Sequence, residues 1–266
     1  MNAQRASLRA LAREFLLQPD PARKAAALQA VAAGELAVDP SEQLAAPPIP
    51  GRPPRPVLVP PHLVPKRRLG SPQGRAALLH AIAHIEFNAI NLALDAVVRF
   101  DGMPAAFYRD WFGVAVEEAR HFELLAAHLQ TLGHTYGDFP AHDSLLEAAR
   151  KTAGDVLARM ALVPRVLEAR GLDVTPGMQA RLQASGDARA AGILAVILAE
   201  EVGHVAIGNR WFHWLCAARG VTPAATFRAL CEAHGQGLPH PPFNVEARLA
   251  GGFSAAELDS WMPAES

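Results

Sequence analysis

The fold is decided by the stretch ILAVILAEEVGHVAIGNRWFHWL, residues 193–215. This stretch is long and apolar and contains no proline, which predicts a single helix. Glu201 and His204 lie within it, and side chains three residues apart share one face of a helix. A second Glu-x-x-His, formed by Glu118 and His121, lies in another long helical run. We therefore expect two helices that each present a carboxylate and an imidazole in the same direction.

The composition limits what these pairs can do. The chain has 266 residues, half of them hydrophobic, so it can bury a substantial core. A net charge of -1 gives no electrostatic basis for binding nucleic acid or a membrane surface. The N-terminus lacks the apolar core of a signal peptide. The sequence contains no uncharged run of about 18 apolar residues, so a membrane-spanning helix is not expected. Two cysteines, Cys216 and Cys231, are too few for a disulfide framework. We expect a cytoplasmic protein that does not bind membranes.

Proline and glycine positions divide the chain into helical segments. No alternating strand pattern of useful length occurs, and β-branched residues are sparse. The sequence therefore predicts an all-α protein built on four long helices, with a crossover connection between the second and the third. Pro164 is expected to kink the third helix, Gly171 to end it, and Pro176 to open a short further helix. The four long helices are expected at residues 73–100, 105–132, 142–171 and 188–218.

The segments outside these helices differ in composition. Ten prolines between residues 47 and 72 forbid regular helix, so this part of the chain is extended. It either wraps the domain surface, which its apolar Val57, Leu58 and Val59 favour, or acts as a semi-rigid spacer or as a ligand for a partner domain. We predict an N-terminal helical arm at residues 1–45, a Pro-rich wrapping segment at 46–72, a four-helix bundle at 73–218 and a C-terminal helical extension at 219–266.

Ionisable residues fall on the apolar stripes of the four long helices. A carboxylate at a core position costs several kcal/mol unless it is paired with a cation or binds a metal ion. These residues are Glu86, Glu118, His121, Glu168, Glu201 and His204. The alternative to a metal is neutralisation in buried salt bridges by Arg165, Arg120 or Lys151.

The order of these residues is repeated along the chain. A Glu precedes each Glu-x-x-His, with 32 residues from Glu86 to Glu118 and 33 from Glu168 to Glu201. This pattern resembles that of the ferritin-like di-metal carboxylate proteins, in which paired helices surround two metal ions. The resemblance implies a ferritin-like four-helix bundle that binds two iron ions, or iron and manganese. It also implies the metal ligands, which are Glu86, Glu118, His121, Glu168, Glu201 and His204.

Four further segments resemble a widespread bacterial ferritin-like family of unknown function. They are residues 65–72 (PKRRLGSP), 80–86 (HAIAHIE), 160–165 (MALVPR) and 242–244 (PFN). This similarity implies a fold and a metal site but no substrate. The ligand pattern is also similar, more distantly, to that of the ferritin-like tRNA hydroxylase. The chain lacks the basic surplus that tRNA binding favours, so tRNA is a disfavoured partner.

The resemblance implies an O2-dependent oxidoreductase of the hydroxylase or monooxygenase type that acts on an unidentified small organic molecule. In that function the metals carry the redox chemistry while the carboxylates bridge and tune them. An electron donor as partner and a homodimer are both compatible with such a protein. The alternative is a ferritin-like metal-binding protein or ferroxidase without an organic substrate, or a structural protein.

Overall fold

The computed structural model describes residues 7–31, 36–65 and 69–262. These residues form helices, and their only β pairing is a parallel bridge between Leu58 and Ala141. The predicted all-α class is therefore confirmed. The helices are α1 (Leu8–Leu17), α2 (Pro21–Gln29), a 3₁₀ turn (Pro61–Leu63), α3 (Pro72–Arg99), α4 (Ala105–Thr131), α5 (Ser144–Lys151), α6 (Val156–Leu162), a π-helix (Val163–Glu168), α7 (Ala169–Ala184), α8 (Ala188–Ala218), α9 (Pro223–Ala233), α10 (Val245–Ala250) and α11 (Ala255–Ser260).

The chain divides into two compact units. Unit 1 consists of residues 1–147 and 185–193, and unit 2 of residues 148–184 and 194–266. The four-part division expected from composition stays a prediction. Parts of it lie outside the described residues: positions 1–6 and 32–35 of the arm, 66–68 of the Pro-rich segment and 263–266 of the tail.

The core of unit 1 is the pair of long helices α3 and α4, which pack against each other. Ser71 begins α3 as its N-cap, and its hydroxyl accepts a hydrogen bond from the Gly74 amide at 3.1 Å. A short turn at residues 101–104 joins the helices. The buried Tyr108 hydroxyl closes this turn by donating to the Phe100 carbonyl at 2.9 Å and accepting from the Met103 amide at 3.1 Å. Tyr108 is therefore a structural residue of the turn.

The N-terminal arm packs on this pair through two buried cations. Arg9 satisfies carbonyls at the end of α3, donating to Val97 at 3.0 Å and to Val98 at 3.1 Å. Lys24 donates to the Gly51 carbonyl at 3.0 Å and to the Asn91 side chain. Both cations are fully buried, so the arm is an integral part of unit 1.

The Pro-rich segment lies against unit 1, as the wrapping interpretation predicts. The Gly51 amide donates to the Leu16 carbonyl at 2.8 Å, and a Cβ at Gly51 would lie only 2.1 Å from the Leu17 carbonyl oxygen. Further along, the Val59 amide donates to the Ala141 carbonyl at 2.8 Å. A spacer would make no such contacts.

In unit 2, the region expected to form a single third helix is divided. Asp155 begins α6 as its N-cap, since its carboxylate accepts from the Leu157 amide at 2.9 Å. The chain then enters the π-helix, and α7 continues through Gly171 and Pro176. The expected end at Gly171 and the expected start at Pro176 were therefore wrong. An isolated glycine costs a helix only about 1 kcal/mol. Burial of neighbouring Leu172 outweighs that cost, because a fully buried leucine contributes about 1.5–3 kcal/mol.

The C-terminal extension folds onto unit 2 around the buried Arg165. Its guanidinium donates to Glu257 Oε1 at 2.6 Å and to Asn209 Oδ1 at 2.5 Å, and it lies over the rings of Phe212 and Phe253 at 4.4 and 5.0 Å from their centroids. Asp155, near the start of α6, also pairs with an arginine at the end of α8. The tail is thus held by a specific cation in the core of the unit.

Among the described residues, α3 and α8 are long and apolar enough to cross a bilayer when judged by length and composition alone. Core helices of soluble proteins pass the same test. The most apolar window of α3 is 89% buried inside the protein and that of α8 is 33% buried. Two such helices are weak evidence for a membrane span, and the expectation of no membrane stays a prediction.

Candidate metal centre

The packing of α3 on α4 brings the three predicted ligands of unit 1 together. Each of Glu86, Glu118 and His121 offers a ligand atom within 4.8 Å of those of the other two. His121 Nδ1 lies 3.2 Å from Glu86 Oε2 and 3.3 Å from Glu118 Oε2. All three residues are buried, with Glu118 and His121 fully so. This cluster of glutamate and histidine side chains could bind a metal ion.

The electrostatics of the cluster show how strongly it requires positive charge. Burial by itself lowers the pKa of His121. Its hydrogen bonds to Glu118 and Glu86, together with the negative charges of these two carboxylates, outweigh burial and raise this pKa to about 11. Without a metal, the imidazole is therefore a cation held between two carboxylates. A divalent ion satisfies the same carboxylates, and it needs the imidazole in its neutral form.

Unit 2 contains the second Glu-x-x-His and the remaining predicted ligand. On α8, His204 Nδ1 lies 3.6 Å from Glu201 Oε2, and the side chains are 1% and 14% exposed. The two side chains share a helix face, as their spacing predicts. Glu168 is the last residue of the π-helix and is half-buried. The place of Glu168, Glu201 and His204 in one ligand set with the cluster of unit 1 stays a prediction.

The alternative to a metal ion is neutralisation of the acidic residues by Arg165, Arg120 or Lys151, and the only buried cation of these three has other partners. Arg165 is fully buried, but its guanidinium is engaged by Glu257, Asn209 and His213 Nε2, the last at 3.4 Å. The other two candidates, Arg120 and Lys151, are both exposed. Arg165 therefore anchors the tail through these partners.

A partly buried chain of hydrogen-bonded side chains near the cluster in unit 1 was not foreseen from the sequence. The Tyr136 hydroxyl lies 2.8 Å from His84 Nδ1, and His84 Nε2 lies 3.1 Å from Asn88 Nδ2. The Tyr136 ring contacts Phe87 and Phe122, which directly follow Glu86 and His121 in the chain. Burial lowers the pKa of His84 to about 4, so its imidazole is neutral. Tyr136 belongs to a loop between two glycines, where no helical spacing could indicate its position.

These observations define the class of protein as an all-α protein with a buried carboxylate and histidine cluster suited to a metal ion. The chain belongs to the family described as protein of unknown function (DUF455), whose family model matches residues 17–259. It is similar to an uncharacterized protein of Haemophilus influenzae, with 50% identity over 214 residues that cover 78% of this chain and 74% of the relative. No solved structure matches the chain with statistical significance.

Proposed function

We propose that this protein is a ferritin-like di-metal carboxylate protein that uses two iron ions, or iron and manganese, and O2 to oxidise a small organic substrate. The observation that carries the proposal is the buried cluster of Glu86, Glu118 and His121 in unit 1. Oxygen and imidazole donors suit iron and manganese, and no thiolate is present among them to favour a softer metal. When bound, the metals would supply the redox chemistry of the reaction.

The charge of the cluster fits one half of a two-metal site. Two carboxylates match the charge of one divalent ion, and His121 adds a nitrogen donor. The sequence repeats the same three residue types as Glu168, Glu201 and His204 in the same order. We propose these as the second half of the ligand set, on the strength of that repeat.

The residues around the cluster support an apolar substrate. Phe87 and Phe122 are 2% and 3% exposed, and their rings lie 5.8 Å apart beside the ligands of α3 and α4. Buried rings of this kind exclude water and make the surroundings of the cluster nonpolar, as a site for a nonpolar molecule requires. The free, buried cysteines Cys216 and Cys231 favour a cytoplasmic protein. The net charge of -1 disfavours tRNA as a partner. A small organic substrate and an electron-donating partner are part of the proposal.

The first experiment measures metal binding. Aerobic titration of the metal-free protein with Fe(II) should saturate near two ions per chain. Glu118→Gln keeps the size of the side chain and removes its charge. We expect it to weaken Fe(II) binding by at least about 100-fold, since loss of a group that only supports a ligand already costs 10–100-fold. The control is Glu117→Gln, which makes the same change at an exposed position one residue away. Unchanged iron content in Glu118→Gln would remove this residue from the ligand set.

A second experiment separates an oxygenase from a ferroxidase. The iron-loaded protein is supplied with hydrogen peroxide and a panel of lipids, small aromatics and modified nucleosides, and the products are identified by mass spectrometry. Oxygen insertion into one class of compound supports the oxidoreductase. Oxidation of Fe(II) by O2 in a parallel assay without peroxide, together with no product from the panel, supports the ferroxidase alternative.

A further inference from the structure

Unit 2 contains a cavity that no residue of the proposed metal centre lines. Its volume is about 230 Å³, and its wall includes Val166 and Leu167 of the π-helix, Arg170 of α7, Arg248 of α10 and the connection at residues 236–240. The lining therefore combines apolar side chains with two guanidinium groups. The cavity is smaller than the roughly 300–1,000 Å³ of sites for drug-sized ligands, and its size suits a small molecule.

Arg248 is held rigidly in this wall. Its side chain is 1% exposed, and it donates from Nε to Asp173 Oδ1 at 2.9 Å and from Nη2 to Asp173 Oδ2 at 2.7 Å. The rings of Phe243 and Phe253 lie 4.6 and 5.2 Å from the guanidinium carbon. These contacts fix the plane of the group, so its position is set before any ligand binds.

One nitrogen of Arg248 has no acceptor among the residues that the structure describes. Nη1 is buried and makes no hydrogen bond, although the other two nitrogens are satisfied. A buried donor on a charged group that lacks an acceptor is costly, and such groups are rare in folded proteins. An acceptor oxygen brought by a ligand would satisfy it.

Arg170 supplies a second, more exposed cation. Its side chain is 39% exposed, and its contacts to Asp173 Oδ2 and to the carbonyls of His240 and Pro242 are all 3.4 Å long. Asp173 is already used by Arg248 and by the Asn244 amide, which donates to it at 2.9 Å. One carboxylate thus faces two guanidinium groups, which leaves a net positive charge beside the cavity.

We infer that this cavity binds the oxyanion group of a small molecule, a phosphate or a carboxylate, through Arg170 and Arg248. Guanidinium groups bind both anions in pairs of parallel hydrogen bonds, and partial burial strengthens these bonds. The apolar Val166 and Leu167 would contact the carbon part of the ligand. This site is independent of metal binding and does not depend on the proposed function.

The test uses the full-length protein and two probes, inorganic phosphate and succinate, each titrated calorimetrically at constant ionic strength. At least one probe should bind, and which one binds identifies the anion. Arg170→Gln should weaken binding about tenfold, equivalent to about 1.4 kcal/mol, and Arg170→Lys should retain part of the affinity. Arg170 is chosen because it is half-exposed and its long contacts contribute little to folding. Loss of Arg248 would instead remove the two short hydrogen bonds that it donates to the buried carboxylate of Asp173.

The matched control is Arg181→Gln, an exposed arginine on the same helix as Arg170. It removes the same charge, and binding should be unchanged. Circular dichroism of each variant checks that the fold is retained. The inference is overturned if neither probe binds to the wild type, or if Arg181→Gln loses as much affinity as Arg170→Gln, which would indicate general attraction to a basic surface or an adventitious ion only.

Discussion

Substituting Gly208 by alanine should destabilise unit 2, because α8 leaves no room for a side chain at this point. A Cβ at Gly208 would lie 2.2 Å from Pro164 Cβ and 2.4 Å from Pro164 Cγ. Ordinary contact begins near 3.4 Å, so the two elements must separate by about 1.2 Å. The proline ring belongs to the π-helix and cannot rotate away as a flexible side chain would.

The magnitude follows from two opposing effects. Overpacking of a core costs about 1–3 kcal/mol, and a required shift above 1 Å places this case at the upper end. Alanine in a helix interior is favoured over glycine by up to about 1 kcal/mol. We therefore expect a net loss of about 2 kcal/mol in the free energy of unfolding for Gly208→Ala.

Gly192→Ala on the same helix is the matched control. Its Cβ would meet nothing within 4 Å, so only the helix preference of alanine acts, and the variant should gain up to about 1 kcal/mol. Urea unfolding of the metal-free variants, followed by circular dichroism, should separate the two by about 3 kcal/mol. If both variants are equally stable, the close approach of α8 to Pro164 is refuted.

Two further predictions concern buried cations. Burial lowers the pKa of Lys24 from 10.5 to about 7, so between these values the unfolded chain holds a proton that the folded chain lacks. The free energy of unfolding of the wild type should therefore rise with pH more steeply than that of Lys24→Met, by up to about 1.4 kcal/mol per pH unit. Urea unfolding of both at pH 7 and 9 measures this, and identical pH dependence would contradict it. Glu257→Gln should cost about 2 kcal/mol by leaving Arg165 buried beside a neutral group, whereas the exposed Asp259→Asn should cost little. Burial raises the pKa of Glu257, but Arg165 and hydrogen bonds from Ser254 outweigh burial and lower this pKa below 4.5. The contribution of Glu257 to the free energy of unfolding is therefore present above pH 4.5 and is lost as the pH falls through the pKa of the folded state. Melting of the wild type and Glu257→Gln between pH 7 and 3 should converge.

The long helices could be predicted because their signals are local. The cap at Ser71, a proline at the first helical position and the run of apolar residues place α3 within one residue of its observed bounds. The same holds for α4, and α8 is found at the range predicted for it. Glu86, Glu118 and His121 could be chosen for the same reason, since each is an ionisable residue on an otherwise apolar helical stripe.

The rest depends on contacts between residues far apart in the sequence. Nothing near Tyr136 shows that its hydroxyl meets His84, because a loop between glycines has no periodicity to fix a side chain. The π-helix could not be predicted either, because Pro164 indicates that the helix is disturbed but not that the disturbance is a π turn. Arg165 lies three residues before Glu168, a spacing that would allow the two side chains to pair on one helix. Its guanidinium instead binds Glu257 of the tail. Local patterns thus predicted the elements, and tertiary partners decided the polar contacts.

The contact of Pro164 with Gly208 also explains how unit 2 can position its own ligand candidates. In a regular α-helix the ring of Pro164 would clash with the carbonyl of the preceding turn, and the wider π turn relieves that clash. Glu168 lies four residues after Pro164, and His204 lies four residues before Gly208, about one turn from the contact in each helix. A glycine at this contact allows the two backbones to approach more closely than any side chain would permit. The position of Glu168 relative to α8 is therefore set by this backbone contact, one turn away from the carboxylate itself.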